Sequence, residues 1–494
     1  MKSNRNILKQ VYNRIIQKIP IFVINKFCCV LFICLEKNEE INWREYIIWH
    51  DYCSKKCKND INMRQEERFL NIAVLMGVFF VLLFLGVPIA YSLCLSAVLY
   101  MALFMDVPMI IIGQQMLKGV DSFTLMAIPF FVIAGGLMES GGISKRIVNF
   151  ARTVVGHLPG GLAIVTVVAS MIFAAMTGAG AATTAAVGGI MIPSMQEEGY
   201  DGGYASAVQA VGGIFGPLIP PSILMVLYGV ASGESVGDML LAGLVPGLFL
   251  GVIVIGVVVW QCIKKGYKGV GHFSLKRAAK SFLDAIWAIL APAIILGGIY
   301  SGLFTPTEAS AVACFYCLII GLFVYRELNF KSLGKVVFKS VKTAAGIMLI
   351  VAATQAFGWV LTRAGIPQMV AEGFTSVISS PTVFMFAVVF ILIVAGCFID
   401  AVPALLIFAP ILIPTATQYG ISLIHFGVVM VVTLCIGLVT PPVGINLFVA
   451  SSVGGQPIHK IIPHLPVLIA SIIAGTIAIV LIPGISTLLP ALMK

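Results

Sequence analysis

Long apolar runs dominate the chain from residue 70 onward, and short stretches that are polar or rich in Gly and Pro separate them. A helix of about 20 apolar residues is long enough to cross a bilayer, and these runs leave room for roughly 10–12 such helices. Strands of a membrane barrel would instead alternate apolar and polar positions. The pattern predicts an all-α polytopic membrane protein. Apolar runs occupy 70–104, 121–139, 160–198, 204–230, 240–262, 282–304, 308–325, 343–363, 382–420, 424–454 and 461–490.

Two runs, 160–198 and 382–420, are too long and too rich in Gly and Pro for one straight span. Basic residues gather in three predicted loop segments between the runs, which the positive-inside rule assigns to the cytoplasm. The first two segments lie on the same side of the membrane only if 160–198 does not cross it but enters and returns as a helical hairpin. The same count of membrane crossings makes 382–420 a hairpin that enters from the opposite face. The three basic segments contain Lys145, Arg146 and Arg152; Lys264, Lys265, Lys268, Lys276, Arg277 and Lys280; and Arg326, Lys331, Lys335, Lys339 and Lys342.

The two hairpin regions are related to each other in sequence. A constant shift of 221 residues aligns Ile192-Pro193-Ser194 with Ile413-Pro414-Thr415, Gly199 with Gly420, Gly216 with Gly437, and Pro220-Pro221 with Pro441-Pro442. Copies that enter from opposite faces form an inverted-topology repeat, which is typical of secondary transporters with a site where helices are broken. We therefore predict repeat 1 at about 121–262 and repeat 2 at about 343–490.

Residues 1–62 differ from the rest, because they are rich in Lys and Asn and hold one marginal apolar stretch, 19–35. This basic N-terminal extension is either an additional membrane segment or the product of a start site placed too early. Met63, directly before the first strong apolar run, is the alternative start. The transporter domain is predicted over 63–494.

Composition also indicates a membrane protein, since 59% of residues are hydrophobic and only 11% are charged. The net charge of +10 is concentrated in a few segments, which fits membrane topology and does not indicate nucleic-acid binding. The chain has no phosphate-binding loop of the ATPase type and no HExxH motif. Cys314 and Cys317 have CxxC spacing, but they lie in an apolar run and are expected to pack. No catalytic group, metal site or organic cofactor is predicted, apart from coupling ions.

The first hairpin has a candidate tip at 177–184, and the next run is interrupted at 216–222. Gly and Pro at these places free backbone carbonyls, which are tolerated at membrane depth only inside protein or beside a polar cavity. Together with Thr and Ser hydroxyls they form an oxygen cage that suits Na⁺. Close helix packing through small residues is the alternative, but two symmetry-related tips, each with a Pro-Pro break, favour an ion or substrate site.

The second copy adds ionisable and amide groups. Asp400 is one of few acids inside an apolar stretch, and such groups within membranes are functional candidates by default. It could instead cap the second helix of the hairpin. Asn446 follows the second Pro-Pro break, and it is either a ligand or a satisfied amide between helices. Arg363 is expected to reach the membrane interface, and Glu308 to cap a helix.

With these motifs the chain resembles the large, DctM-like permease subunit of TRAP transporters, the tripartite ATP-independent periplasmic carriers. The resemblance spans about Leu70 to Leu489. The segments that carry it are Leu85–Ala90, Val155–Gly161, Gly216–Ser222, Gly302–Ala309, Ala409–Pro414 and Gly437–Ser451.

The resemblance implies an elevator-type importer in a bacterial inner membrane, with Na⁺ as the coupling ion. It also implies a small four-helix membrane subunit and a periplasmic solute-binding protein that delivers an organic acid, such as a C4-dicarboxylate or a sialic acid. A stand-alone Na⁺/anion symporter of inverted-hairpin design is the alternative. The first tip departs from the family's Ser-Gly-Ser pattern, because Thr177 and Ala179 stand there. The implied ion or substrate ligands are Thr177, Gly178, Gly180, Gly216, Ser222, Asp400, Thr440, Gly444 and Asn446.

Overall fold

The computed structural model describes residues 73–269 and 273–493, so the predicted N-terminal extension at 1–62 lies outside the described residues. Within those ranges the protein is all-helical, as predicted. The first helices are α1 (Ala73–Phe84), α2 (Ile89–Phe104), α3 (Ile110–Val120), α4 (Ala127–Ser140) and α5 (Ile143–Val155). The next are α6 (Gly161–Thr177), α7 (Gly180–Glu197), α8 (Gly202–Gly212), α9 (Ile223–Ser232) and α10 (Val236–Lys265).

The middle of the chain forms three long helices, α11 (Leu275–Tyr300), α12 (Pro306–Ile319) and α13 (Phe330–Arg363). The second repeat follows as α14 (Ile366–Val377), α15 (Pro381–Gly396), α16 (Ala401–Gln418), α17 (Leu423–Gly437) and α18 (Ile445–Gly454). The chain ends with α19 (Ile458–Ile461), α20 (Leu465–Leu481) and α21 (Gly484–Leu492). Short 3₁₀ turns lie at Phe123–Met126, Gly213–Phe215 and Ile462–His464, and a π-helical turn at Ile320–Val324 continues α12.

Seven helices are long and apolar enough to cross a membrane, judged by length and composition within the described residues. Shorter apolar helices include α6, α9, α15, α17 and α18, which are the arms of the hairpins and the halves of the broken helices. Both long apolar runs bend back on themselves as predicted: α6 packs against α7, and α15 packs against α16.

Helix lengths repeat the symmetry of the sequence. α7 and α16 each have 18 residues, and their first residues, Gly180 and Ala401, are 221 positions apart. α9 and α18 each have 10 residues and each follows a Pro-Pro bond in the cis form, Pro220-Pro221 and Pro441-Pro442. The two copies therefore share hairpin, broken helix and break in the same order.

Apolar packing forms two clusters. In the smaller one, α1, α2 and α3 pack on the second half of α13, where the rings of Phe79 and Phe357 lie 5.8 Å apart. The larger cluster holds the hairpins and broken helices of both repeats. The hairpin tips thus lie within the larger cluster.

The prediction of basic loops was wrong in part. Most of these basic residues lie within helices: Lys145, Arg146 and Arg152 in α5, Lys264 and Lys265 in α10, Lys276, Arg277 and Lys280 in α11, and Lys331, Lys335, Lys339 and Lys342 in α13. Lys and Arg are good helix formers, so these helices extend beyond the apolar runs. α13 has 34 residues, about 50 Å at 1.5 Å per residue, which exceeds a hydrocarbon core of about 30 Å. Its basic first half can therefore lie outside that core.

The predicted cap at the start of α12 is confirmed. Glu308 accepts hydrogen bonds from the backbone N–H and the hydroxyl of Thr305, both at 2.8 Å, and the Thr305 hydroxyl accepts one from the Glu308 N–H at 3.3 Å. This capping box fixes the first turn of the helix.

Candidate functional site

The first hairpin turns at two residues, Gly178 and Ala179. Gly178 has a positive φ of 63° and Ala179 is extended, so the helix is interrupted between α6 and α7. The Gly178 carbonyl accepts a hydrogen bond from Ile223 N–H at 3.4 Å. A Cβ on Gly178 would lie 2.4 Å from the Pro221 carbonyl oxygen. Glycine is therefore required both by the backbone conformation and by contact with the Pro-Pro break.

Hydroxyl groups line the inner side of this tip. The hydroxyls of Thr177 and Thr183 lie 2.9 Å apart, and that of Thr183 donates to the Ala179 carbonyl at 3.0 Å. One residue further, the Thr184 hydroxyl donates to the Gly180 carbonyl at 3.0 Å. All three threonines are buried. The tip thus holds several neutral oxygen atoms away from solvent.

Glycines let the broken helix approach the tip closely. A Cβ on Gly216 would lie 2.5 Å from the Ala179 oxygen and 2.9 Å from the Gly180 nitrogen. A Cβ on Gly213 would lie 1.9 Å from the Thr184 hydroxyl oxygen and 3.1 Å from the Gly180 oxygen. Backbone of the break and backbone of the tip are therefore in direct contact, with no side chain between them.

Asn446 belongs to the second repeat but lies at this first tip. Its Nδ2 donates to the Ala210 carbonyl at 3.3 Å. Its Oδ1 is buried without a hydrogen-bond partner and would lie 3.1 Å from a Cβ on Gly180. A buried acceptor without a partner costs free energy. A cation bound to the lone pairs of Asn446 Oδ1 would supply the missing partner.

Ser222 is engaged locally. Its hydroxyl donates to the Pro217 carbonyl and accepts from Met225 N–H at 3.2 Å, which makes it the N-cap of α9. It therefore stabilises the break between α8 and α9, and its role as an ion ligand stays a prediction.

The second tip is built from the turn after α15. Asp400 occupies the N-cap position of α16, yet its carboxylate makes no capping hydrogen bond. The Cys397 carbonyl accepts from Val443 N–H at 3.1 Å, so this tip also contacts its Pro-Pro break. A Cβ on Gly437 would lie 2.6 Å from three backbone atoms of Gly396. The second copy therefore reproduces the close approach of break and hairpin.

The remaining predicted residues follow the second Pro-Pro break or precede it. The Thr440 hydroxyl donates to the Ile436 carbonyl at 2.7 Å. Gly444 is buried with a φ of 45°, which favours glycine, and it starts α18. The structure thus gathers Thr177, Gly178, Gly180, Gly216 and Asn446 at the first tip, and it leaves Asp400, Thr440 and Gly444 with the second hairpin and its break.

Sequence analysis missed two residues at the first tip, Gln209 and Gly213. Gln209 is fully buried in α8 and its Nε2 donates to the carbonyls of Thr183 and Thr184, at 3.3 and 3.4 Å. A lone amide among small and apolar residues was the available signal. Gly213 precedes the Gly-Pro motif by three positions and carries no local signal of its own.

The oxygen atoms available as ligands suit a hard monovalent cation better than a transition metal, which prefers imidazole or thiolate ligands. The oxygens at the first tip are carbonyls, hydroxyls and the two unpartnered amide oxygens of Asn446 and Gln209. Among the described residues no group of three His, Cys, Asp or Glu side chains could hold a metal ion. Broken helices with freed carbonyls commonly coordinate Na⁺ in transporters.

Two symmetry-related hairpins, each with its tip against a broken helix in an all-helical protein with long apolar spans, define a secondary-transporter fold. The chain matches the family described as "Tripartite ATP-independent periplasmic transporter, DctM component" over residues 76–485. It belongs to this family and is a multi-pass membrane protein.

Relatives support the assignment. The C4-dicarboxylate TRAP transporter large permease DctM of Pseudomonas aeruginosa is 42% identical over 81% of this chain and 93% of its own length. The sialic acid TRAP transporter large permease SiaM of Vibrio cholerae is 38% identical over 83% of this chain and 96% of its own length. The isethionate TRAP transporter permease DctMQ of Oleidesulfovibrio alaskensis is 39% identical over 84% of this chain, which spans only 65% of that protein.

The fold is also similar to a solved structure. The YdaH transporter of Alcanivorax borkumensis aligns with a TM-score of 0.53 over 76% of this chain and 87% of that one, at 14% sequence identity. At this identity the likeness concerns the fold alone.

Proposed function

We propose that this protein is the large membrane subunit of a Na⁺-coupled TRAP secondary transporter, which imports an organic acid across a bacterial inner membrane. The single observation that carries the coupling ion is the first tip, where Asn446 Oδ1 is buried without a partner, near backbone carbonyls and buried hydroxyls. Binding of Na⁺ there would satisfy that oxygen. It would also hold the tip of one repeat against an amide from the other, so that the ion links the two halves.

The substrate class rests on the relatives. Their names give C4-dicarboxylate and sialic acid as cargo, and both are small organic acids. The first tip also contains the N-terminus of α7 at Gly180, and the positive end of a half-helix dipole attracts a carboxylate. A carboxylate and a cation could therefore be bound together.

The partners follow from the family, whose name describes a three-part system. A small four-helix membrane subunit and a periplasmic binding protein would complete it, and the binding protein would deliver the acid. The alternative is a stand-alone Na⁺/anion symporter with the same hairpin design. Nothing in either scheme requires catalysis by this chain, and we propose no enzyme activity.

The test is uptake of radiolabelled organic acids, including a C4-dicarboxylate and a sialic acid, into proteoliposomes that hold the full chain and its small membrane partner. The binding protein is added or omitted, and an inward Na⁺ gradient is compared with an equal K⁺ gradient. Uptake that requires both binding protein and Na⁺ supports the tripartite transporter. Uptake that requires Na⁺ alone supports the stand-alone symporter, and uptake that is equal in K⁺ contradicts Na⁺ coupling.

A matched pair of variants tests the site itself. Thr177→Val removes the hydroxyl that faces Thr183 at the tip. Thr166→Val removes a buried hydroxyl from the same helix, α6, whose donor bond goes to the Leu162 carbonyl away from the tip. We expect the first variant to raise the Na⁺ concentration for half-maximal uptake (K0.5) and the second to leave it unchanged. Equal K0.5 values in the two variants would argue against an ion at the tip.

A further inference from the structure

Gln209 is a fully buried amide in the middle of α8, whose other residues are small, apolar or aromatic apart from Ser206. Its Nε2 donates to the Thr183 and Thr184 carbonyls in the first turns of α7, at 3.3 and 3.4 Å. Its Oε1 is buried without a hydrogen-bond partner. Only half of the amide is therefore satisfied by the protein.

α7 leaves room for this side chain. A Cβ on Gly188 would lie 2.9 Å from Gln209 Cγ, so a glycine is needed where the stem of the glutamine crosses α7. If packing were the only requirement, an apolar side chain would fill the same space without a buried acceptor that lacks a partner. The free oxygen therefore calls for an explanation beyond packing.

Gln209 lies on the face of α8 that leads to the first tip. Gly213 follows four positions later, about one helical turn, and a Cβ there would lie 2.7 Å from Asn446 Nδ2. Asn446 also donates to the carbonyl of Ala210, the residue next to Gln209. Gln209 and Asn446, each with an unpartnered amide oxygen, thus meet the same part of α8, between residues 209 and 213.

We propose that Gln209 is a further residue of the cation site at the first tip. Its Nε2 holds the first turns of α7 through two hydrogen bonds, and its Oε1 binds the cation, directly or through one bound water. This assignment rests on the proposed function, because it places the oxygen in the site through which Na⁺ is coupled. Under this proposal α8 contributes an ion ligand in addition to those from the hairpin and the two breaks.

The decisive variants are Gln209→Met and Gln209→Glu in the full chain, reconstituted with its partners. Met keeps the length of the side chain and removes the oxygen, so we expect the Na⁺ K0.5 to rise about tenfold or more, in the range found when groups that support a metal site are lost. Glu keeps an oxygen but, as a carboxylate, cannot donate to the two carbonyls, and we expect a K0.5 within about threefold of wild type. Ser206→Ala is the matched control: Ser206 Oγ is also buried and unpartnered on α8, but it lies by Gly454, and no change is expected.

A second readout keeps failure of this inference separate from failure of the proposed function. A ligand that binds the native state raises its melting temperature, so purified wild-type chain is heated in NaCl and in KCl at equal ionic strength. If wild type gains nothing from Na⁺ in melting or in uptake, the proposed function fails and the role of Gln209 fails with it.

If wild type responds to Na⁺ and Gln209→Met keeps the wild-type K0.5, only the assignment of Gln209 is overturned. The assignment of Gln209 is also overturned if Gln209→Glu raises the Na⁺ K0.5 as much as Gln209→Met does. That result would mean that loss of the hydrogen bonds from Nε2, and not loss of the oxygen, causes the effect. If Gln209→Met does not fold, Gln209→Glu decides alone: a K0.5 near wild type supports a ligand oxygen, and a tenfold rise contradicts it.

Discussion

Replacement of Gly216 by Ala tests whether the first tip and its broken helix are as tightly joined as the structure shows. Gly216 has right-handed helical backbone angles, so alanine meets no conformational penalty there. Its Cβ would lie 2.5 Å from the Ala179 oxygen, 2.6 Å from the Ala179 carbonyl carbon and 2.9 Å from the Gly180 nitrogen. All three are backbone atoms, so no side-chain rotation relieves the overlap.

The size of the effect follows from these distances. Unstrained carbon contacts lie at about 3.5–4.0 Å, so the tip and the break must separate by roughly 1 Å. Overpacking of this kind costs about 1–3 kcal/mol. Coordination distances at an ion site hold within about 0.2 Å, so the same movement displaces Ala179 and Gly180 from any cation bound there. We expect a lower melting temperature and a Na⁺ K0.5 raised about tenfold, because each tenfold change in affinity corresponds to about 1.4 kcal/mol.

The assay combines thermal unfolding of the purified chain, followed by tryptophan fluorescence, with the Na⁺ dependence of uptake in proteoliposomes. Gly256→Ala is the control, since Gly256 lies inside α10 with no atom within 4 Å of an added Cβ. That variant should melt at or above the wild-type temperature, because alanine is the better helix former. If Gly216→Ala behaves like Gly256→Ala in both measurements, the close contact of tip and break is refuted.

Three further predictions concern groups at and beyond the tips. Asn446→Leu removes the free Oδ1 and leaves the Ala210 carbonyl without its donor, so the Na⁺ K0.5 of uptake should rise, while a K0.5 equal to wild type would exclude this oxygen as a ligand. Asp400→Asn replaces the carboxyl group at the second tip, which makes no capping hydrogen bond, by an amide. Na⁺-driven uptake should fall more at sub-saturating Na⁺ than at saturating Na⁺, and an equal fall at both would indicate a structural role. The ion pair between Arg146 and Glu327, at 2.8 Å with both side chains partly exposed, should contribute only about 0.2–1 kcal/mol in a double-mutant cycle of thermal unfolding, and a coupling above about 2 kcal/mol would contradict that expectation.

The sequence predicted the hairpins well because their signal is physical and local. A run such as 160–198 is too long for one span and carries glycines near its middle, and the structure breaks it at Gly178 and Ala179. The shift of 221 residues likewise reappears in the starts of α7 and α16. Length, breaker residues and repetition therefore suffice for this part of the fold.

Amphipathic helices were harder to predict. α3, α5 and α14 lie between or beside the long apolar runs and are 11 to 13 residues long. Hydropathy over long windows averages their apolar and polar faces and so gives no span. Only a helical period of 3.6 residues marks them, and basic positions such as Arg146 were for that reason assigned to a loop.

Contacts between the repeats could not be predicted from either repeat alone. The sequence made Asn446 a candidate of the second break, but its Nδ2 bonds to Ala210 in the first repeat. Gln209 was overlooked because nothing local distinguishes a ligand from a buried amide that is satisfied. Which polar groups meet depends on how α7, α8 and α18 pack together, and that arrangement exists only in three dimensions.

The same arrangement breaks the symmetry of the two tips. The N-cap position of α7 is held by Ala179 and that of α16 by Asp400, which are equivalent under the shift of 221 residues. A cation at the second tip could be met by a carboxyl group, whereas the first tip offers only carbonyl, hydroxyl and amide oxygens. The first tip is also the one that receives the amide of Asn446 from the other repeat. The second tip has an additional side-chain oxygen in its own sequence, from Asp400. The first tip obtains its additional oxygen from Asn446, through a contact between the repeats.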